Sequence, residues 1–438
     1  MKHQTRIILA GTLGNLIESF DMAICGLLSV YIAKYLIGDA TKGLFLVFLT
    51  FFAGYLARPI GAMIMGLLSD IYGRKIILAA SILSMGVSTT LIGFIPTHSS
   101  IGTFSVIALL VLRIIQSFSC GAEYLNSSAY LIENAETSRK GYSGSWASFG
   151  AMSGLLVASL IALMVTYFTT HCPELDWLIW RIPFVLALLG SSIGLYIRLC
   201  IPESMEYIMY YADRPKPKFY SLLTESANYI KNHKMQSFYV FALSSLGVTT
   251  TFQIYIYGPM QAHLYGSFQD HEILTSNIIS LLMLLSIFPI IGKLSDIVKR
   301  ETIVVVASVG FLILSQPFFN SLSQSVFYQF VLSQALIAIP AGAYYATVPV
   351  MLAEMFPLKL RCTVLSILYS IAASLSAGLA PLISLLLVKK TNIAASPSIL
   401  VFILTTIIFI MMIHRRKNSR GKSLMQIKYT SGITSQDL

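Results

Sequence analysis

Residues 66–75 read Gly66-Leu67-Leu68-Ser69-Asp70-Ile71-Tyr72-Gly73-Arg74-Lys75, and residues 292–300 read Gly292-Lys293-Leu294-Ser295-Asp296-Ile297-Val298-Lys299-Arg300. The two aspartates lie 226 positions apart in a chain of 438 residues. One short polar connection therefore recurs at about half the chain length, each time between two apolar runs. A weaker echo pairs Glu133 and Arg139 with Glu354 and Arg361. A membrane-crossing helix takes about 20 mainly apolar residues. Such segments fall near 7–37, 43–68, 76–96, 103–132, 142–169 and 178–200, then near 237–260, 274–296, 302–322, 326–353, 362–388 and 396–413. Helices are the expected form, because each satisfies its own backbone hydrogen bonds in lipid. The expectation is an all-α membrane protein of twelve transmembrane helices in two pseudo-symmetric six-helix bundles. Two copies in the same membrane orientation imply parallel repeats about an axis along the membrane normal.

Composition agrees. Hydrophobic residues make up 56% of the chain and charged residues only 11%, against about 25% charged in ordinary globular domains. Mean hydropathy is +0.75. The net charge of +11 does not point to nucleic acid, because the charges sit in short clusters between apolar runs, as topology requires. With both termini in the cytoplasm, inner segments hold 23 of the 30 basic residues, and outer ones hold Lys34, Lys42, Arg181, Lys389 and Lys390. Arg58 and Arg113 remain, inside spans. That imbalance predicts an N-in, C-in orientation. The N-terminal apolar run continues almost to Lys34, too long for a signal peptide's core of about 7–15 residues. It reads as a retained first helix.

The organisation follows: residues 1–200 form the first half, 201–236 a cytoplasmic linker, 237–413 the second half, and 414–438 a disordered basic tail. The five cysteines (Cys25, Cys120, Cys172, Cys200 and Cys362) form no C-x-x-C pair, so they read as packing residues. His171, His263 and His271 fall in outer loops, and no metal site is expected. No G-x-x-x-x-G-K-[ST] segment occurs, which disfavours ATP-driven transport.

Several motifs carry a family resemblance. Gly66-x-x-x-Asp70-x-x-Gly73-Arg74-Lys75 resembles the loop signature of the major facilitator superfamily, and Arg113-x-x-Gln116 resembles its second motif. Further stretches resemble the metabolite:proton symporter family, which includes proline/betaine, citrate, 2-oxoglutarate and shikimate carriers. They are Gly14-Asn15-x-x-Glu18-x-x-Asp21, Arg58-Pro59-x-Gly61, Arg113-x-x-Gln116-x-x-x-x-Gly121-x-Glu123, Trp180-Arg181-x-Pro183-Phe184 and Glu354-x-x-Pro357-x-x-x-Arg361. Departures are Ser117 and Ala122, where that family usually has glycine, and Ser19-Phe20, where it has Trp-Tyr. The resemblance implies a multi-pass transporter of the bacterial inner membrane and no enzyme. It also implies no cofactor beyond a coupling proton. A monomer is the expected unit.

Charges inside spans cost about 2.5–3.5 kcal/mol each on insertion scales, so each is a candidate functional group. The interior set is Glu18, Asp21, Arg58, Arg113 and Glu123, all in the first half. At about 1.5 Å per residue, Glu18, Arg58 and Arg113 fall roughly 15–20 Å from a span end. Arg113, Gln116, Cys120 and Glu123 occupy about an 80° arc of the fourth helix, an arrangement suited to one wet face. Glu18 and Asp21 are neighbours three residues apart. Three acids against two arginines leave room for one added proton, a rationale for proton coupling. The competing reading is a static buried ion-pair network. Arg58 and Arg113 suit a substrate carboxylate through the guanidinium fork. Asn15 completes the first-half set, and the second half offers neutral groups, among them Gln253, Tyr255 and Tyr344. Asp70, Arg74 and Lys75 are expected to latch a cytoplasmic gate, with Glu133, Arg139, Asp296, Arg300, Glu354 and Arg361 as partners.

The expected function is proton-coupled uptake of a small polar metabolite such as an organic acid, amino acid, betaine or carboxylate siderophore, by alternating access. The alternative is a proton-driven exporter of a drug or secreted metabolite. The fifth helix reads Gly144-Ser145-Trp146-Ala147-Ser148-Phe149-Gly150-Ala151-Met152-Ser153-Gly154. It lacks the proline of the superfamily's antiporter signature, which favours import. A membrane receptor is a third reading, disfavoured because the chain carries no added soluble domain.

Overall fold

The computed structural model describes residues 2–38, 40–121, 123–266, 268–324 and 326–431, without the side chains of 2–4, 40–42, 44, 45, 48, 270 and 415–431. Lys42, Ala122 and the basic side chains of the tail lie outside that set, as do residues 432–438. No strand occurs among the described residues. Spans one to six are Lys2–Leu27, Ala40–Tyr72, Arg74–Phe94, Phe104–Cys120 with Glu123–Glu133, Lys140–His171 and Ile182–Cys200. Spans seven to twelve are Lys234–Phe252 continued by Gly258–Tyr265, Asp270–Ile297, Arg300–Ser321, Phe327–Glu354, Arg361–Thr391 and Ser398–Ser431. Eleven helical stretches among the described residues are long and apolar enough to cross a membrane, and Ser398–His414 is a shorter apolar helix. The last helix runs on past 413, where the sequence reading ends the membrane part. The segment between the halves carries two helices, Met205–Tyr211 and Phe219–Asn232. The end of the molecule that bears them is called the linker face below.

Close helix approach is bought with glycine. A Cβ on Gly150 would meet the Thr12 carbonyl oxygen at 2.2 Å, and one on Gly154 the Leu16 carbonyl oxygen at 2.2 Å. The small stripe of span five is thus its seam against span one, as small residues commonly serve in membranes. The halves meet where span two packs on span eleven and span five on span eight. A Cβ on Gly66 would lie 2.9 Å from the Thr363 Cα, and one on Gly292 2.3 Å from the Ser145 hydroxyl. The repeated glycines therefore mark the two equivalent crossings between halves.

Span seven is interrupted by a π-helical turn, Gln253–Tyr257. Pro259 lacks the N–H that would close the ladder here. Partners inside the same half meet the loose carbonyls: Gln334 donates to Ile254 at 3.2 Å and Asn277 to Tyr255 at 3.5 Å. Ser276 donates to the Gln334 side chain at 2.5 Å, and Gln334 also donates to Asn277.

Candidate functional site

A cavity of about 210 Å³ lies between the halves. Spans one, two, four and five line it from the first half and spans seven, ten and eleven from the second. Among the described residues, Glu18 and Arg58 are its only charged lining groups. They face each other at 3.6 Å. Cys120 donates to Glu18 at 2.6 Å. Around them stand Tyr55, Tyr124, Tyr344, Tyr345 and Tyr369, with Phe252. The ring pair Tyr124–Tyr369, centroids 5.6 Å apart, crosses between the halves.

Most of the other sequence candidates lie behind this wall. Glu123 is bound to Arg198 and Ser81, and it opens the second described helical segment of span four. Of the four residues expected on a single wet face, Arg113, Gln116, Cys120 and Glu123, none is among the described lining residues of the cavity. Arg113 bonds to Gln116 at 2.5 Å and stacks over Phe51 at 3.8 Å, with no carboxylate partner among the described residues. Gln116 also donates to the Asp21 carbonyl and the Thr89 hydroxyl. Asp21 is fully buried, with the Thr89 hydroxyl beside its carboxylate. Asn15 donates to the Ala147 carbonyl at 3.0 Å. Gln253 donates to Ser384 and to the Pro397 carbonyl, joining span seven to spans eleven and twelve. Tyr255 faces Ser280, away from the cavity lining. Tyr344 lines the cavity while donating to the Leu243 carbonyl at 2.7 Å.

Arg198 was counted among the inner basic residues, yet it is 2% exposed and is the ion-pair partner of Glu123. Gly14 makes its place: a Cβ there would meet the guanidinium nitrogen at 2.0 Å. The signal was present as glycine in the first-span motif, but its reason lies in a helix far along the chain.

The linker face is closed by a dense polar seam. Asp70 accepts from the Thr363 backbone at 2.8 Å, from the Thr363 hydroxyl at 2.7 Å and from the Cys362 backbone at 3.4 Å. It thus caps the start of span eleven, where unpaired N–H groups favour an anion. Asp296 does the same for span five, accepting from Gly141 at 2.6 Å and Tyr142 at 3.0 Å. Each repeat aspartate therefore caps a helix of the opposite half. Arg74, fully buried, pairs with Asp70 at 3.4 Å, holds Glu133 through two nitrogens at 3.2 Å, and donates across to the Leu358 carbonyl. Arg361 crosses back to Glu133 at 2.9 Å and to Glu206 at 3.1 Å. Arg300 pairs with Glu354 and, at 3.7 Å, with Asp296.

Two expected members stand apart from this seam. Arg139 is exposed and pairs with Glu136 at 3.7 Å, while its neighbour Lys140 pairs with Glu206 at 3.1 Å. Lys75 contributes its backbone N–H, which donates with that of Arg74 to the Glu203 carboxylate. Gly73 permits this with φ at 108°. Sequence reasoning missed Glu203, Glu206 and Tyr207. Tyr207 donates to the Ile71 carbonyl at 2.6 Å. Burial pushes its phenol up to about 12, so it is a neutral donor at ordinary pH. Among the described residues no ion pair joins the halves at the opposite end, where Lys34–Asp176 lies within the first half.

Comparisons with known proteins agree with this architecture. The family model described as "Sugar (and other) transporter" matches residues 9–217, and that described as "Major Facilitator Superfamily" matches residues 243–434. The proline/betaine transporter of Escherichia coli strain K12 is 28% identical over 413 residues, covering 90% of this chain and 79% of the relative. That of Salmonella typhimurium strain LT2 is 28% identical over 422 residues, covering 92% and 81%. The solved structure of the Escherichia coli proton:xylose symporter XylE superposes with a TM-score of 0.76 at 16% identity, covering 94% of this chain and 96% of that one. With two bundles around a central cavity, the chain has the fold of the major facilitator superfamily, and the family models that match its two halves and the relatives it resembles are membrane transporters, not enzymes.

Proposed function

We propose that this transporter imports a small zwitterionic or carboxylate solute together with a proton, by alternating access around the central cavity. The observation that carries this reading is the Glu18–Arg58 pair, the sole charged feature of the cavity wall among the described residues. A proton on Glu18 leaves Arg58 without its counter-charge. A substrate carboxylate can then take that place on the planar fork. Proton and solute thus favour one another, and coupling rests on their differential affinity for the two states. The cavity is smaller than the roughly 300 Å³ at which sites for drug-sized ligands begin, which favours a compact solute. Among the described residues its lining includes no asparagine or glutamine. A sugar would find few of the paired donors and acceptors that specify its hydroxyls, whereas tyrosine faces suit a cationic or quaternary nitrogen. The relatives named as proline/betaine transporters support the same class. In this reading the linker face lies in the cytoplasm and the membrane is a bacterial inner membrane; the basic-residue imbalance supports the orientation. The seam of Asp70, Arg74, Glu133 and Arg361 then serves as the inner latch, closed in this conformation.

The test is uptake by purified protein in proteoliposomes with an inward proton gradient, using radiolabelled proline, glycine betaine, citrate and xylose. Accumulation of a zwitterion or carboxylate that collapses with a protonophore is expected. Accumulation of xylose alone would contradict the reading.

A further inference from the structure

Proline within a helix leaves the carbonyl four residues earlier without its ladder partner. Pro59 frees the carbonyl of Tyr55 in span two, and Pro349 frees that of Tyr345 in span ten. Both residues line the cavity. Each freed oxygen is met by a serine hydroxyl from the opposite half. Ser374 of span eleven donates to Tyr55 at 2.6 Å, and Ser148 of span five donates to Tyr345 at 2.6 Å. A third hydroxyl, Ser370, donates at 2.7 Å to the Gly121 carbonyl of span four. Most other serines and threonines here bond within their own helix, as Ser159 does to Leu155. The two cross-half serines are also 226 positions apart, the spacing of the two repeat aspartates. Ser148 is fully buried and Ser374 is 6% exposed, so no bulk water competes for either bond.

We propose that Pro59 and Pro349 act with Ser374 and Ser148 as a second, mid-membrane clasp, whose proline-freed carbonyls are acceptors for the opposite half and which releases when the linker face opens. The inference rests on the alternating-access reading above. An intact helix offers no free carbonyl at its middle, so the clasp needs the prolines. It sits level with the cavity, where a bound solute touches Tyr55 and Tyr345 and so reaches the clasp directly. The seam at the linker face acts through charge. This clasp acts through neutral hydrogen bonds and is insensitive to salt.

Cys362 reports on opening, since it is buried between the halves beside Asp70. The experiment measures its modification by N-ethylmaleimide in proteoliposomes, with the site resolved by peptide mass spectrometry. Ser148→Ala and Ser374→Ala are each expected to raise the modification rate about three- to tenfold, the range of one net hydrogen bond. Pro349→Ala restores an N–H that can close the ladder on Tyr345. On that background, Ser148→Ala should add nothing further. The same cycle with Pro59→Ala and Ser374→Ala carries the test independently if one set folds poorly. Wild-type-like rates in the serine variants, or additive effects in both cycles, would overturn the clasp. No modification of Cys362 even in wild type under turnover would instead count against alternating access itself.

Discussion

Asp70→Asn is expected to abolish uptake, to below about one hundredth of wild type, while the protein still reaches the membrane in normal amount. The carboxylate serves two masters on two sides of the interface: Arg74 in its own half and the start of span eleven in the other. The amide keeps the shape but removes the charge. Arg74 then lies fully buried with Glu133 as its one remaining acid among the described residues, and Glu133 is shared with Arg361. Breaking a buried pair on one side costs about 3–5 kcal/mol, and each 1.4 kcal/mol is tenfold in population. The state closed at the linker face should lose occupancy by that factor, so the cycle stalls. Asp296→Asn should cost far less, about tenfold, because Arg300 is partly exposed and retains Glu354. Uptake normalised to surface protein decides the matter, and near-normal uptake by Asp70→Asn would remove the latch from the account.

Arg58→Ala should weaken substrate binding by two orders of magnitude or more, and Arg58→Lys should recover only a small part of it. The lysine restores a charge but not the two-pronged donor geometry. The ammonium is also more strongly hydrated and sits poorly in a wall that leaves Arg58 9% exposed. Arg113 provides the control. It stacks on Phe51 outside the cavity lining, so Arg113→Lys should lower thermal stability while leaving substrate affinity within about threefold. Calorimetric titration of both pairs separates the two arginines. Equal losses of affinity at both positions would mean that the cavity wall is not where the solute is held.

The repeat, the spans and the closing seam were legible because they are written in local chemistry. Apolar runs about 20 residues long have one form in lipid, and an acidic residue after Gly66 recurs after Gly292. The interior charges were legible too, since all five are buried. Which of them face the cavity was not. Helical phase puts Glu123 beside Cys120, but Arg198, from another span, claims the carboxylate. Gln253 and Tyr255 read as neutral groups for the solute, whereas Pro259 loosens span seven, Gln334 and Asn277 meet its loose carbonyls, and Gln253 and Tyr255 bond to neighbouring spans. The motif Arg58-Pro59-x-Gly61 mixes both kinds of reason. Arg58 faces the cavity, Pro59 frees a carbonyl, and Gly61 lets span four approach so closely that a Cβ would meet the Phe118 carbonyl oxygen at 2.0 Å. Sequence shows the three together and cannot assign them separately, because each answers to a different neighbour.

The central claim is that Glu18 takes up the coupling proton at the place where the solute binds. Lightly buffered proteoliposomes with a trapped pH indicator test it directly when solute is added outside. Wild type should acidify the lumen as solute enters. Glu18→Gln should show no acidification, yet still exchange labelled for unlabelled solute at equilibrium. Solute entry in wild type without acidification, or undiminished acidification in Glu18→Gln, would contradict the account.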